Sequence, residues 1–298
     1  LLEDALAEGM EKSSPANITG MVISPRTGES VAMASLPDFD PNRVPQDPKL
    51  RRNGIISDWM EPGSTFKVVV VSGALNDRAV TLNDVFNCEH GKFLFAGRTL
   101  HDHATTYGNL SVEQIITKSS NIGAAKIGIR LGERRLYEYI CDYGFGLPTG
   151  IPLPQESRGL VYPPEKWSKV SIAQIPMGHG VAVTRLQMAM AMSALANNGW
   201  LMRPLLVKQL QDRAGNIAVQ YAPQRVRQVV SDATARQMVQ ALKTVVSPEG
   251  TAPKAALTNY IVAGKTGTAQ KPVPGGDSAT KFVASFIGFF PADNPELC

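Results

Sequence analysis

The chain has 298 residues, of which 43% are hydrophobic and 19% charged, with a formal net charge of +4. That composition supplies one large packed core and excludes bulk disorder. Basic residues are spread along the chain apart from Arg51-Arg52 and Arg134-Arg135, which argues against a nucleic-acid partner.

Residues 1–14 read as a helix. ITGMVISPRTGESVAMASL reads as a β-hairpin around a Pro- and Gly-rich turn. PDFDPNRVPQDPKL, with four prolines, reads as an extended surface loop. EPGSTFKVVVV, residues 61–71, is ambiguous. Four valines suit a buried strand, whereas Pro-Gly-Ser suits the start of a helix. FNCEHGKFLFAGRTLHDHATTYGN reads as a mixed loop with a short hairpin around Gly91 and Gly97. SVEQIITKSSNIGAAKIGIRLG opens with a capping box, Ser111 to Gln114, and has helical spacing. ERRLYEYICDYGFG is a helix ended by Gly144 or Gly146. Residues 147–166 form a loop with five prolines. Thr184 to Asn198 is a buried helix, and residues 232–247 an amphipathic one capped by Asp232 or Ser231. YIVAGKTGTAQ and KFVASFIGFF are strands joined by a KPVPGGDSAT loop. Strands at both chain ends and helices between them predict an α+β fold, an antiparallel sheet flanked by helices on both faces.

No apolar run reaches the roughly 18 residues that cross a bilayer. The nearest is broken by Arg185 and Gln187. The opening LLEDALAEGMEK resembles the middle of a helix, and the closing FVASFIGFFPADNPELC stops after a turn that should feed another strand. The chain therefore reads as one domain, residues 1–298, of a longer protein. Cys88, Cys141 and Cys298 lie far apart and read as packing residues rather than a zinc or redox motif. HDH, His101 to His103, alternates in a loop without a third ligand and reads as a satisfied surface pair. No metal or other cofactor is implied.

Three motifs carry chemistry. In a helix, Ser64 and Lys67 sit one turn apart on one face; in a strand they face opposite ways. A helix start at Pro62-Gly63 would aim free N–H groups and a positive dipole end at the serine oxygen. Serine is a poor nucleophile until a base takes its proton, and a buried lysine beside another cation can be that base. About one Ser-x-x-Lys is expected by chance in a chain this long. Ser278 to Lys281 is such a match, in a linker entering a strand where the side chains diverge. Ser119-Ser120-Asn121 alone reads as a helix cap or solvated turn. Lys265-Thr266-Gly267-Thr268 offers a cation, two hydroxyls and a bare backbone, which suits an extended peptide with a terminal carboxylate added along a sheet edge. An exposed edge strand guarded by a lysine is the plainer reading.

The order Ser-x-x-Lys, Ser-x-Asn, Lys-Thr-Gly resembles the serine penicillin-binding enzymes. GMVISPRTGESVAMASLPDFDPN, EPGSTFK, LSVEQIITKSSNIGAAKI and AGKTGTAQ resemble, in that order, the transpeptidase domain of class B penicillin-binding proteins, over nearly the whole chain. KSSNIG looks more like the division-specific branch than the elongation branch. The resemblance implies the family's transpeptidase-like fold, lacking its last strand and C-terminal helix. It implies a peptidoglycan D,D-transpeptidase that forms a serine acyl-enzyme with D-Ala-D-Ala stem peptides and is inhibited by β-lactams. Ser64 would be the nucleophile and Lys67 its base. Ser119 would relay a proton, and Asn121 would hold Lys67 and a substrate amide. Lys265 would supply positive potential. Thr266 and Thr268 would bind the carboxylate, and Gly267 would leave it space. The backbone N–H groups of Ser64 and Thr268 would form the oxyanion hole. His179, in a Gly-His-Gly turn, would line the cleft. Partners would be stem peptides, β-lactams and, through missing parts, division-complex membrane proteins. The location would be the extracytoplasmic face of the bacterial cytoplasmic membrane.

Other readings keep the acylation step. A class A β-lactamase needs a water-positioning glutamate, and Glu-x-x-x-Asn does not occur after Asn121. A D,D-carboxypeptidase would use water as acceptor. A β-lactam sensor or a non-catalytic division scaffold would share the fold.

Overall fold

The computed structural model describes residues 1–103, 107–273 and 276–298. Helix α1 (Leu2–Ser13) leads into the β1 (Ile18–Ile23) and β2 (Ser30–Leu36) ladder. A one-turn α2 (Gly54–Ser57) and a short β3 (Trp59–Met60) precede a 3₁₀ turn, Gly63–Phe66, that runs directly into α3 (Lys67–Asn76). Strands β4 (Val85–Asn87), β5 (Lys92–Phe95), β6 (Arg98–His101) and β7 (Asn109–Ser111) form two small ladders, β4 with β7 and β5 with β6. Then come α4 (Val112–Lys118), α5 (Asn121–Leu131), α6 (Glu133–Asp142) and a one-turn α7 (Ser171–Gln174). Strand β8 (Val183–Thr184) pairs with β3 and is followed by α8 (Arg185–Ala196). Residues 200–228, without an assigned element from sequence, form β9 (Trp200–Met202), β10 (Gln209–Gln211), β11 (Ile217–Gln220) and β12 (Arg225–Gln228). Helix α9 (Asp232–Val245) precedes the long hairpin of β13 (Ala263–Val273) and β14 (Gly276–Phe289).

The named ladders are all antiparallel and two-stranded. Helices cover both faces of the β1–β2 ladder. On one face Gly20 lies against Leu2 and Leu6 of α1, where a methyl would come within 2.7 Å of Leu2. On the other, Met21 and Ile23 enter the main core, as the period-two pleat requires. Helix α9 turns Ala235, Met238, Leu242 and Val245 inward at helical spacing and packs on β13. Helix α8 packs on β14, β9 and β1. The last residue of β1, Ile23, forms a two-way backbone pair with Cys298, at 2.8 Å in both directions.

The ambiguous valine run is a helix. Val68 to Val71 are all 0% exposed, so α3 is buried on every side. It packs against α5, α6 and α9, and Gly73 lets the Tyr139 ring sit against its backbone. Tertiary packing on all faces overrides the modest helix penalty of β-branched residues.

The KPVPGGDSAT stretch is a correction. Pairing continues through Pro272↔Asp277 and Val273↔Gly276, so all of it except residues 274 and 275, which lie outside the described residues, is strand rather than loop. Ser278 and Lys281 therefore fall within β14. The Ala104-Thr105-Thr106 part of the loop expected after HDH also lies outside the described residues. Among the described residues no helix is long and apolar enough to cross a membrane.

Candidate active site

Ser64 sits on the 3₁₀ turn just before α3, 6% exposed. Three local features hold it there. Gly63 has φ +54°, a left-handed conformation that glycine adopts without strain. A methyl on it would lie 2.6 Å from the Thr268 carbonyl oxygen, so the turn and β13 touch backbone to backbone. Thr65 donates its hydroxyl to the Pro62 carbonyl at 2.7 Å, and Phe66 stacks obliquely on Phe145 with centroids 5.2 Å apart.

Lys67 is the first residue of α3 and is 0% exposed. Its Nζ lies 2.8 Å from Ser64 Oγ, 2.6 Å from the Ser119 carbonyl oxygen, 3.2 Å from Ser119 Oγ and 2.8 Å from Asn121 Oδ1. The amide of Asn121 can point only one way, because its Nδ2 donates to the His101 carbonyl at 3.0 Å.

The Ser119 region is built by a broken helix. Helix α4 starts with the capping box Ser111/Gln114, both of whose bonds form. It ends at Ser119, which has φ +61°. Ser120 then caps α5 by accepting from Gly123 N at 3.0 Å. The break turns the Ser119 carbonyl and hydroxyl toward Lys67 while both flanking helices stay satisfied.

Strand β13 supplies the fourth wall. Lys265 is 0% exposed, and its Nζ donates to Ser119 Oγ at 2.8 Å and to the Thr266 carbonyl at 3.2 Å. Thr266 and Thr268 lie on the opposite, more open face; Thr266 shares a hydroxyl bond of 2.7 Å with Thr251. Gly267 differs from expectation. A methyl there would meet Ser285 Oγ at 2.6 Å, Thr65 Cγ2 at 2.8 Å and the Pro62 carbonyl at 3.0 Å. The room it leaves is taken by the Ser64 turn.

Burial dominates the electrostatics. It pushes the Lys67 amine well below the ordinary lysine range; the neighbouring Lys265 charge adds to the drop and Asp102 opposes it. Burial also lowers Lys265, to about 7. His103 is lowered by burial and then by the charge of Lys67. Burial raises Glu61, but its bonds from His179 Nδ1 at 2.9 Å and Gly180 N at 2.8 Å outweigh that, and it ends below the usual carboxylate range.

The structure thus brings Ser64, Lys67, Ser119, Asn121 and Lys265 into one hydrogen-bonded cluster, with Thr266, Gly267 and Thr268 continuing along β13. His179 stands on a turn whose neighbour Gly178 accepts from Gly63 N at 3.3 Å, beside the serine turn. Sequence reasoning missed Thr251, for which no motif gave a signal, and misjudged Asp102. The latter is no surface residue: it is 8% exposed and accepts from Ser120 Oγ and from the Asn121 and Ile122 N–H groups. Among the described residues no group of three or more His, Cys, Asp or Glu could hold a metal ion.

Comparison with known proteins matches the same span. Stage V sporulation protein D of Bacillus subtilis is 36% identical along 100% of this chain and 46% of its own length. The probable peptidoglycan D,D-transpeptidase PenA of Neisseria gonorrhoeae is 34% identical over 94% of this chain and 46% of its own. The chain therefore spans about half the length of these curated relatives. The apo crystal structure of penicillin binding protein 3 from Mycobacterium tuberculosis superposes with a TM-score of 0.92 at 33% identity, covering 99% of this chain and 68% of that one. The family model for the penicillin binding protein transpeptidase domain matches residues 18–298, and the chain belongs to that family.

Proposed function

We propose that residues 1–298 are the catalytic domain of a peptidoglycan D,D-transpeptidase that acylates Ser64 with D-Ala-D-Ala stem peptides. The observation that carries this reading is the hydrogen-bond inventory at Lys67. The Ser119 carbonyl and Asn121 Oδ1 can only accept. A neutral amine has two N–H groups, and those two acceptors use both. Its lone pair is then left for the Ser64 hydroxyl at 2.8 Å.

The steps follow from that arrangement. The Ser64 proton passes to Lys67 Nζ as Oγ bonds to the carbonyl carbon of the penultimate D-alanine. The carbonyl oxygen gains negative charge toward the Ser64 and Thr268 backbone N–H groups, each such donor stabilising the transition state by about 3–4 kcal/mol. Collapse breaks the C–N bond. The departing D-alanine amine takes a proton from the Ser119 hydroxyl, which is replenished from the Lys67 ammonium. Lys265, donating to Ser119 Oγ, leaves that hydroxyl's own proton free to transfer. An amine from a second stem peptide then attacks the ester, its proton returns by the same relay, and Ser64 is freed. Thr266 and Thr268 hold the terminal carboxylate on the open face of β13.

β-Lactams mimic the donor and leave Ser64 acylated. Support comes from the Mycobacterium tuberculosis penicillin binding protein 3 structures complexed with aztreonam and with ampicillin. Because its substrate is outside the cytoplasm, the domain works at the extracytoplasmic face of the cytoplasmic membrane, held by a segment outside residues 1–298. The KSSNIG motif favours a role in division, with division-complex membrane proteins as partners. A sporulation role is the second reading, favoured by the similarity to stage V sporulation protein D.

A fluorescent penicillin tests the proposal. Stable labelling of the native chain and none of Ser64→Ala, with an unchanged melting temperature, is the expected result. Full labelling of Ser64→Ala overturns the assignment. Rapid release of label points to a β-lactamase, and absence of label in the native chain to a scaffold. Formation of a cross-linked dimer from two stem peptides separates transpeptidase from carboxypeptidase and sensor.

A further inference from the structure

Lys67 and Lys265 are both fully buried, and the described ion pairs include neither. A nearby anion would change what two such amines do. The acidic group that acts on Lys67 is Asp102, in the residue that follows β6. Asp102 is itself anchored: its N–H donates to the Gly91 carbonyl at 3.2 Å. Its carboxylate takes Ser120 Oγ at 3.1 and 3.0 Å, the Ile122 N–H at 3.2 Å and the Asn121 N–H. His101, the preceding residue, fixes the Asn121 side chain through its carbonyl. A single residue therefore links carboxylate and amine. Asn121 gives its backbone N–H to Asp102 and its side-chain oxygen to Lys67.

We propose that Asp102, which touches no reacting atom, is a positioning residue: it fixes the turn that carries Ser119 and Asn121 and is the anion linked through Asn121 to the buried Lys67 amine. The inference rests on Lys67 acting as the base of Ser64. The other titratable groups around the pair are Cys88, whose Sγ is 3.4 Å from Ser120 Oγ, and Lys126 of α5, paired with Glu89 at 2.6 Å. His103 is a further titratable neighbour, lowered by burial first and then by the charge of Lys67.

Asp102 opposes the drop in the Lys67 amine's proton affinity. Removing its charge lets that affinity fall further, so Lys67 becomes neutral at lower pH. Asp102→Asn isolates this effect. The amide oxygen still accepts from the Asn121 and Ile122 N–H groups, and its nitrogen can donate to Ser120 Oγ. Asp102→Ala removes the bonds as well.

The test is an NMR titration of the Lys67 side chain with labelled lysine, run beside the pH dependence of acylation by a fluorescent penicillin. In Asp102→Asn the titration midpoint and the rising limb of the acylation profile both move to lower pH. In Ser120→Ala, which loses a bond to Asp102 but keeps the charge, the midpoint stays where it is in the native protein. Asp102→Ala additionally loses about 10- to 100-fold in the acylation plateau, the scale of a misplacement near 1 Å. A native midpoint in Asp102→Asn, or a native plateau in Asp102→Ala that remains folded, overturns the proposal. Failure of the base assignment looks different: acylation of the native protein would then not follow the Lys67 titration at all.

Discussion

Gly267→Ala puts the contact between strand and nucleophile turn to a direct test. The new methyl would lie 2.8 Å from Thr65 Cγ2 and 3.0 Å from the Pro62 carbonyl oxygen. Ser285 Oγ, at 2.6 Å, can rotate aside; the other two cannot. Thr65 is 3% exposed, and its hydroxyl is tied to that same Pro62 carbonyl. Carbon–carbon contacts settle near 3.5–4.0 Å, so β13 and the turn must part by roughly 0.7 Å. Overpacking of this kind costs about 1–3 kcal/mol, and each kcal/mol lowers the melting temperature of a domain near this size by about 2–4 °C. The same displacement separates the Ser64 and Thr268 backbones, which Gly63 now holds in contact. Acylation by a fluorescent penicillin should fall by about 10- to 100-fold. Thermal melting and the second-order labelling rate, measured on one preparation, read both effects. An unchanged melting temperature refutes the reasoning and returns Gly267 to simple clearance for a ligand.

Two further outcomes follow from the amines. Lys67→Met keeps the stem and removes the proposed base, so labelling should drop by at least about 100-fold, within the usual range for general-base catalysis, and stay low at raised pH. Recovery to the native rate at high pH would move the base role to another group. Lys265 titrates near 7 in the folded protein because it is buried, against 10.5 ordinarily. Between those values the unfolded chain binds the extra proton, so stability rises with pH across that window and is lost as pH falls toward 7. Lys67 shifts in the same direction and contributes the same sign. Urea midpoints at pH 7 to 9.5 should therefore climb less steeply in Lys265→Met than in the native protein; parallel curves count against the assignment.

Much of the site was legible because its registers are local. The three-residue step from Ser64 to Lys67 makes about one helical turn, and alternation along β13 separates Lys265 from Thr266. The helix itself was ambiguous for a physical reason. A segment buried on all sides has no amphipathic period, so Val68 to Val71 suit strand and helix equally until α5, α6 and α9 surround them. The loop expected at KPVPGGDSAT failed in the opposite way: Pro and Gly argued for a turn, and pairing with the partner strand won over local preference. Asp102 was hidden by its neighbours. Between two exposed histidines it reads as surface, and only the fold delivers the start of α5 to its carboxylate.

In the proposed mechanism Lys67 can act as a base only because burial lowers its amine's proton affinity, which bears on how the protein is made and counted. In an extended chain Lys67 is an ordinary ammonium and Ser64 an ordinary alcohol, inert toward a strained amide. On the proposed mechanism, reactivity switches on only when segments near residues 64, 102, 120 and 265 have all assembled. A nascent or damaged copy would thereby be spared from suicidal modification, and the intensity of a penicillin label would report the number of native molecules in a sample rather than the mass of polypeptide.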